Sequence, residues 1–265
     1  MAHEQILTET IGRVGVIRLN RPEKLNARTD QMSHEIKNQI ATWNEDDSIG
    51  AIILTGEGRA FCAGADVGYF ADRAQANKKG EGEKIVQLIP ETYELPTMLR
   101  RSKPTIAAIN GYAIGVGLTM ILPCDIRIAS TEAKLSMRFI KMGLVPELGS
   151  TRILSELVGL GHATDMCLTG RIVGAEESLR MGLVSDVTPP DELFDKALER
   201  ANEIANNPTD AVMMIKELLE KNPMDRDLSA VMERESIRDQ VARRLPDHDE
   251  AIEAFTQKRE PEFNK

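Results

Sequence analysis

TIAAINGYAIGVG, residues 105–117, is the stretch on which the fold turns. Thr105–Asn110 is a short, continuously apolar run that follows Pro104 and stops at Gly111. A run of that length and composition, bounded by turn residues, predicts a strand buried on both faces. Gly111–Leu122 then reads as a glycine turn running into an apolar helix. Small residues let a ligand approach the backbone closely. N–H groups at such turns and helix starts lack internal acceptors and stabilise a negative oxygen.

The same arrangement occurs once before. The apolar run AIILT (51–55) predicts a buried strand, and it leads into the small-residue loop GRAFCAGAD (58–66). Two such loops can converge on one carbonyl oxygen and form an oxyanion hole. Spacing alone is also met by two tight turns packed for steric reasons. A dinucleotide-binding reading is disfavoured, because the third glycine of G-x-G-x-x-G is replaced by Met120 and no acidic residue follows in a ribose-binding context. A phosphate-loop G-K-[ST] is absent too.

Outward from these loops, VGVIRL (14–19) predicts a strand and Asn20–Leu25, with Pro22, a polar turn. Met32, Ile36, Ile40 and Trp43 share one helical face, predicting a helix over about 29–44 with Thr29 or Asp30 as cap. The charged stretch 75–83 has two glycines and no apolar pattern, and is expected to be mobile. A helix is expected around 85–101, strands at 126–129, 134–139 and 184–187, and helices at 147–158, 161–169 and 175–182. After Pro189 and Pro190 the pattern is helical throughout, over 191–206, 209–220, 228–245 and 250–258. The fold class is therefore α/β, an alternating body followed by a helical tail.

Bulk properties narrow the function. A formal net charge of −9 leaves no electrostatic footprint for nucleic acid or an anionic membrane. The cysteines at 62, 124 and 167 are far apart and form no C-x-x-C pair, and the four histidines have no metal-ligand spacing, so no metal site is expected. The N-terminus has no signal-peptide core, no apolar run approaches the ~18–20 residues of a membrane span, and the last residues are not a peroxisomal address. A cytoplasmic protein is expected.

Seven blocks, in order along the chain, resemble the crotonase (enoyl-CoA hydratase/isomerase) family: LNRPEKLNA (19–27), GRAFCAGAD (58–66), NGYAIGVG (110–117), PCD (123–125), LTG (168–170), GLV (182–184) and EAFTQKR (253–259). The resemblance implies a crotonase-like ββα spiral core with the acyl-CoA site over residues 1–195. It also implies a C-terminal helical trimerisation region over 196–265, and hence a homotrimer or a dimer of trimers. Coenzyme A enters as part of the acyl-CoA substrate, with no permanently bound cofactor. By the same resemblance Ala65 and Val116 supply the oxyanion N–H groups. Valine at 116 departs from the usual glycine, which keeps the backbone donor and narrows the site. Lys24, Leu25 and Ala27 would line the coenzyme A groove, with Ala63 and Asp66 near the adenine and pantetheine. Phe255 and Lys258 resemble the pair that reaches the coenzyme A of a neighbouring subunit.

The acid–base residues bear on the reaction. Hydratases of that family use two glutamates, and the matching positions here are Thr119 and Phe139. GLVPELGST (143–151) instead resembles the G-L-x-x-E-G-G-T block of Δ3,Δ2-enoyl-CoA isomerases, which makes Glu147 the base. An enoyl-CoA isomerase is the leading expectation. A hydratase or other crotonase-type lyase or hydrolase, and a weakly catalytic acyl-CoA-binding protein, are the alternatives. At a helix start, burial would raise the Glu147 pKa and the helix dipole would lower it, and sequence leaves that balance open. Asp125 is expected to be structural, paired with Arg127 or a backbone amide. Tyr112 and Ser150 either position a substrate or pack, and Arg138 is unassigned. Ser150 lacks a G-x-S-x-G context, which disfavours a serine hydrolase.

Overall fold

A computed structural model describes residues 3–66, 68 and 94–265. In chain order the elements are β1 (Ile6–Ile11), β2 (Val14–Leu19), α1 (Asp30–Asn44), β3 (Ala51–Gly56), β4 (Ala60–Cys62), α2 (Glu94–Arg101), β5 (Thr105–Ile109), β6 (Tyr112–Ile114), α3 (Val116–Thr119), β7 (Ile126–Ser130) and β8 (Lys134–Ser136). They continue with α4 (Ser150–Thr169), β9 (Val173–Gly174), α5 (Ala175–Arg180), β10 (Asp186–Thr188), α6 (Leu193–Ala205), α7 (Thr209–Lys221), α8 (Leu228–Ala242) and α9 (Pro246–Gln257). The stretch 75–83, expected to be mobile, lies outside the described residues. So does the first part of the helix expected around 85–101.

The strands form two sheets, ordered β1-β2-β3-β5-β7-β10 and β4-β6-β8-β9. β3, β5 and β7 each leave the first sheet, and within a few residues β4, β6 and β8 enter the second. Successive turns pair in parallel, β3 with β5 and β5 with β7 in one sheet, β4 with β6 and β6 with β8 in the other. This is the ββα spiral that the sequence led us to expect.

The period of two along buried strands builds two cores. Ile52 and Leu54 of β3, with Ala107 and Ile109 of β5, join the interior cluster that includes Met32, Ile36 and Ile40 of α1. Ala51 and Ile53, with Ile106 and Ala108, face the opposite way onto Leu193, Ala197, Ala201 and Ala205 of α6. The small residues of α6 recur every four positions and let it lie close to the sheet. Thr29 caps α1 by accepting a hydrogen bond from the Met32 N–H at 3.0 Å.

Several elements differ from expectation. β1 went unread because it is an edge strand with one buried residue, Ile6, and a polar face. β4 and β6 are three-residue strands inside stretches read as loop and helix start, which leaves α3 only four residues long. The strand expected at 134–139 stops at Ser136, and Arg138–Met142 is a single 3-10 turn. α4 begins at Ser150, not Glu147, and turns at Gly159 (φ 75°) between the two helices that were expected. Among the described residues no helix is long and apolar enough to cross a membrane.

Candidate active site

Ala65 is paired with Arg28 in an isolated parallel bridge. The Arg28 N–H donates to Gly64 O at 2.8 Å, and the Asp66 N–H donates to Arg28 O at 3.0 Å. In a parallel pair the residue between those two bonds points its own N–H to the opposite side. The Ala65 N–H is thus directed away from the Arg28 segment.

Val116 is the first residue of α3, where an N–H has no intrahelical acceptor. Gly115 makes the turn into it at φ 55°, and its own N–H donates to Ser136 O at 2.9 Å. The Val116 side chain is buried, 4% exposed. The next residue, Gly117, lies directly on the end of β4: a Cβ there would sit 2.1 Å from Cys62 O. Loops 62–65 and 115–117 therefore meet backbone to backbone, and the two N–H groups singled out in sequence arise from adjoining loops.

Glu147 sits ahead of α4. Leu148 (φ 58°) and Gly149 (φ 68°) are both left-handed, so the helix starts only at Ser150. That conformation costs a leucine about 1–2 kcal/mol, and burial of the Leu148 side chain holds it there. The Glu147 side chain is half-buried, and among the described residues it makes no hydrogen bond or ion pair. Burial pushes its carboxyl above the usual 4.5, with the Arg28 charge opposing. The helix dipole acts within the first turn; Glu147 precedes that turn, and desolvation prevails.

The two other acid–base positions carry no acid. Thr119 is fully buried, its hydroxyl directed at Val116 O at 3.4 Å. The Phe139 ring packs against the interior cluster, with its edge 4.0 Å from where a Gly115 Cβ would be. An aromatic ring thus borders the turn that precedes Val116.

The residues expected along the coenzyme A groove are linked to one another by hydrogen bonds and an ion pair. Lys24 ends a 3-10 turn, Pro22–Lys24, and is exposed. Leu25 (φ 52°) and Asn26 (φ 54°) are consecutive left-handed residues. Asn26 is fully buried and ties that turn down: its Oδ1 accepts from Arg21 N at 2.8 Å, and its Nδ2 donates to Glu57 O at 2.9 Å and Ala60 O at 2.8 Å. The Ala63 N–H donates to Leu25 O at 3.0 Å. Arg21 donates to Ala27 O at 2.6 Å and pairs with Asp66 at 2.9 Å. The Arg21 hydrogen bond, with the Gly68 N–H, holds the Asp66 carboxyl below the usual carboxylate value. Phe255 and Lys258 are not brought to this cluster within one chain: Phe255 is 87% exposed, and Lys258 ends α9 in the left-handed region.

Asp125 is structural, with partners other than Arg127. Its Oδ2 accepts from Thr105 N at 2.7 Å and Lys216 Nζ at 2.7 Å, tying α7 to the spiral. Arg127 donates to the carbonyls of Leu183 and Leu122 instead. Tyr112 packs under Lys134, and Arg138 is exposed. The Ser150 hydroxyl is buried without a hydrogen-bond partner among the described residues. Sequence reading passed over Arg28 and Asn26. Asn26 lay inside a recognised block, and Arg28 is one residue past its end.

Comparison with known proteins gives a consistent picture. The family model "Enoyl-CoA hydratase/isomerase" matches residues 9–265. A probable enoyl-CoA hydratase of Mycobacterium bovis is 36% identical over 263 residues, 99% of each chain. The 1,2-epoxyphenylacetyl-CoA isomerase of Escherichia coli is 34% identical over 265 residues, 98% of each chain. The crystal structure of an enoyl-CoA hydratase from Bacillus anthracis superposes with a TM-score of 0.89 at 33% identity, covering 98% of this chain and 99% of that one.

Proposed function

The chain belongs to the enoyl-CoA hydratase/isomerase family, and we propose that within it this protein is an isomerase that moves the double bond of an enoyl-CoA from C3 to C2. The observation that carries the reading is the half-buried Glu147, without a side-chain partner among the described residues, set against Thr119 and Phe139, where no second acid stands. Isomerisation needs one proton carrier; hydration needs water activated and a carbon protonated.

The chemistry runs as follows. The Glu147 carboxylate takes a proton from C2 of a 3-enoyl thioester. The C–H electron pair moves into the C1–C2 bond, and the thioester oxygen becomes negative. The N–H groups of Ala65 and Val116 stabilise that oxygen, a contribution of about 3–4 kcal/mol per donor in comparable sites. Glu147 then returns the proton to C4, and the C2=C3 bond forms. No water or redox partner is consumed. The Phe139 ring beside the turn keeps this end of the cleft dry, which disfavours addition of water. Burial serves the base as well, since a carboxyl raised above its usual value holds the transferred proton more readily.

Lys24, Leu25, Ala27, Ala63 and Asp66 border the coenzyme A groove in this reading, with Asp66 acting through its ion pair to Arg21. Phe255 stands free in one chain, which supports a role for it and Lys258 at the groove of a neighbouring subunit. The helices over 196–265 would then join copies in a trimer or a dimer of trimers.

The test is purified Glu147→Ala assayed with a 3-enoyl-CoA. Undiminished migration of the double bond would overturn the assignment. The names of several relatives favour hydration as a second reading. Rapid hydration of crotonyl-CoA by the wild-type protein would establish it.

A further inference from the structure

Each oxyanion donor belongs to a peptide unit whose carbonyl is carried by the preceding residue. The Ala65 N–H shares its unit with Gly64 O, and the Val116 N–H shares its unit with Gly115 O. In a planar trans unit the N–H and the carbonyl point in opposite directions, so whatever holds the carbonyl aims the donor. Gly115 O accepts from Leu118 N and Thr119 N, both at 3.0 Å. Gly64 O accepts from Arg28 N at 2.8 Å and from the Cys62 thiol at 3.5 Å. One donor unit is thus held by the main chain that follows it. The other depends on a distant segment and on one side chain.

Cys62 touches the second loop as well. It ends β4 and is fully buried. A Cβ on Gly117 would lie 2.1 Å from Cys62 O and 2.9 Å from Cys62 Cβ. Gly64 makes the return contact: a Cβ there would lie 3.5 Å from Ile114 O. Cys62 therefore has its side chain on the Ala65 peptide unit, and its Cβ and carbonyl against the residue after Val116. The thiol is suited to holding, not to reacting. Burial pushes its pKa up to about 11, against the backbone N–H groups of Gly64 and Arg28 beside the sulfur. At neutral pH it keeps its proton, so it is an S–H donor and not a thiolate nucleophile. Such a bond is individually weak. Its effect comes from its place. A carbonyl that takes a second donor is fixed in direction and polarised, and the N–H of the same unit donates more strongly.

We propose that Cys62 is a positioning residue of the oxyanion hole, its thiol aiming the Ala65 N–H while its main chain spaces that donor from Val116. The proposal rests on the reading of Ala65 and Val116 as the donors.

The decisive measurement reads the donors directly. Butyryl-CoA carrying carbon-13 at the thioester carbonyl is bound to the protein, and its C=O stretch is isolated by infrared difference against the unlabelled ligand. Hydrogen bonds from the hole lower that frequency. In wild type the bound band is expected below that of butyryl-CoA in water. In Cys62→Ala it should return part of the way, and in Cys62→Ser, which keeps a donor, it should stay close to wild type. In Cys62→Ala kcat for isomerisation should fall about tenfold with KM little changed, a smaller loss than that of a deleted donor. A band as low as wild type in folded Cys62→Ala overturns the proposal. So does a raised band that Cys62→Ser fails to restore, because that is packing alone. If Cys62→Ala does not fold, the wild-type S–H stretch decides, with the other two thiol bands identified by Cys124→Ala and Cys167→Ala. A Cys62 band lowered by hydrogen bonding supports the proposal, and one at the frequency of a thiol in hydrocarbon overturns it. A wild-type carbonyl band no lower than in water removes the donors themselves, and the proposal falls with that reading. A lowered wild-type band that Cys62→Ala leaves unchanged removes the proposal alone.

Discussion

Gly117 and Cys62 are in direct backbone contact: a methyl group on Gly117 would lie 2.1 Å from the Cys62 carbonyl oxygen. No side-chain rearrangement relieves that overlap, because the opposing atom is main chain. Gly117→Ala must therefore push the start of α3 away from the end of β4, carrying the Val116 N–H with it. The expected result is a loss of about 1–3 kcal/mol in stability. A fall of about a hundredfold or more in kcat accompanies it, as for a misplaced oxyanion donor. Urea denaturation and steady-state kinetics check both.

Glu147→Gln should lower the isomerisation rate by about 10²–10⁴-fold, the usual contribution of a positioned proton carrier. It should also change stability in a pH-dependent way. The folded-state pKa of Glu147 is raised by burial, so the fold favours the neutral acid. Ionisation therefore weakens the fold as pH rises above the ordinary value of 4.5, and that penalty is absent below it. Glutamine carries no such penalty. The variant's melting temperature should exceed wild type at pH 8, and the difference should vanish at acidic pH.

Asn26→Ala removes three hydrogen bonds, one from Arg21 N within the turn at Leu25 and two that tie that turn to Glu57, just past β3, and to Ala60 of β4. At about 1 kcal/mol each, with buried groups left unpaired, the loss should be about 2–4 kcal/mol. With proton transfer at Glu147, as proposed, KM for the acyl-CoA should rise more than kcat falls. Isothermal titration with free coenzyme A would show the same weakening.

Lys216→Met should loosen α7. Its ammonium group is nearly buried and bonds Asp125 at 2.7 Å and Leu99 O at 2.8 Å. Removing one partner of such a pair costs about 2–3 kcal/mol when the other keeps some solvent contact. Hydrogen exchange should rise across 209–221, while the amides of β3 and β5 stay protected.

The regular strands were legible in sequence because their surroundings are simple. Ala51–Gly56 and Thr105–Ile109 are buried on both faces, and continuous apolar runs report that directly. β1 escaped because an edge strand with a polar face has no apolar alternation to detect. β4 and β6 escaped because three residues are too few for any period, and their pairing is set by contacts fifty residues apart. The site shows the same division. Ala65, Val116 and Glu147 lie in recognisable blocks of small or acidic residues. The start of α4 was misjudged because two left-handed residues, one of them the leucine at 148, stand where a helix would ordinarily continue. Arg28 was passed over because its bond to Ser33 and its pairing with Ala65 arise only in the folded chain.

The stacking of the spiral has a consequence for how activity is acquired. The residues of the proposed site, Ala65, Val116 and Glu147, come from three separate stretches of chain, and the loop carrying each is held by a contact to another turn or to the core. No single turn contains a working fragment of the site. Contacts of such sequence separation form late and slowly. Return of catalysis during refolding should therefore lag behind the return of helical signal, making enzymatic rate a clock for completion of the last turns.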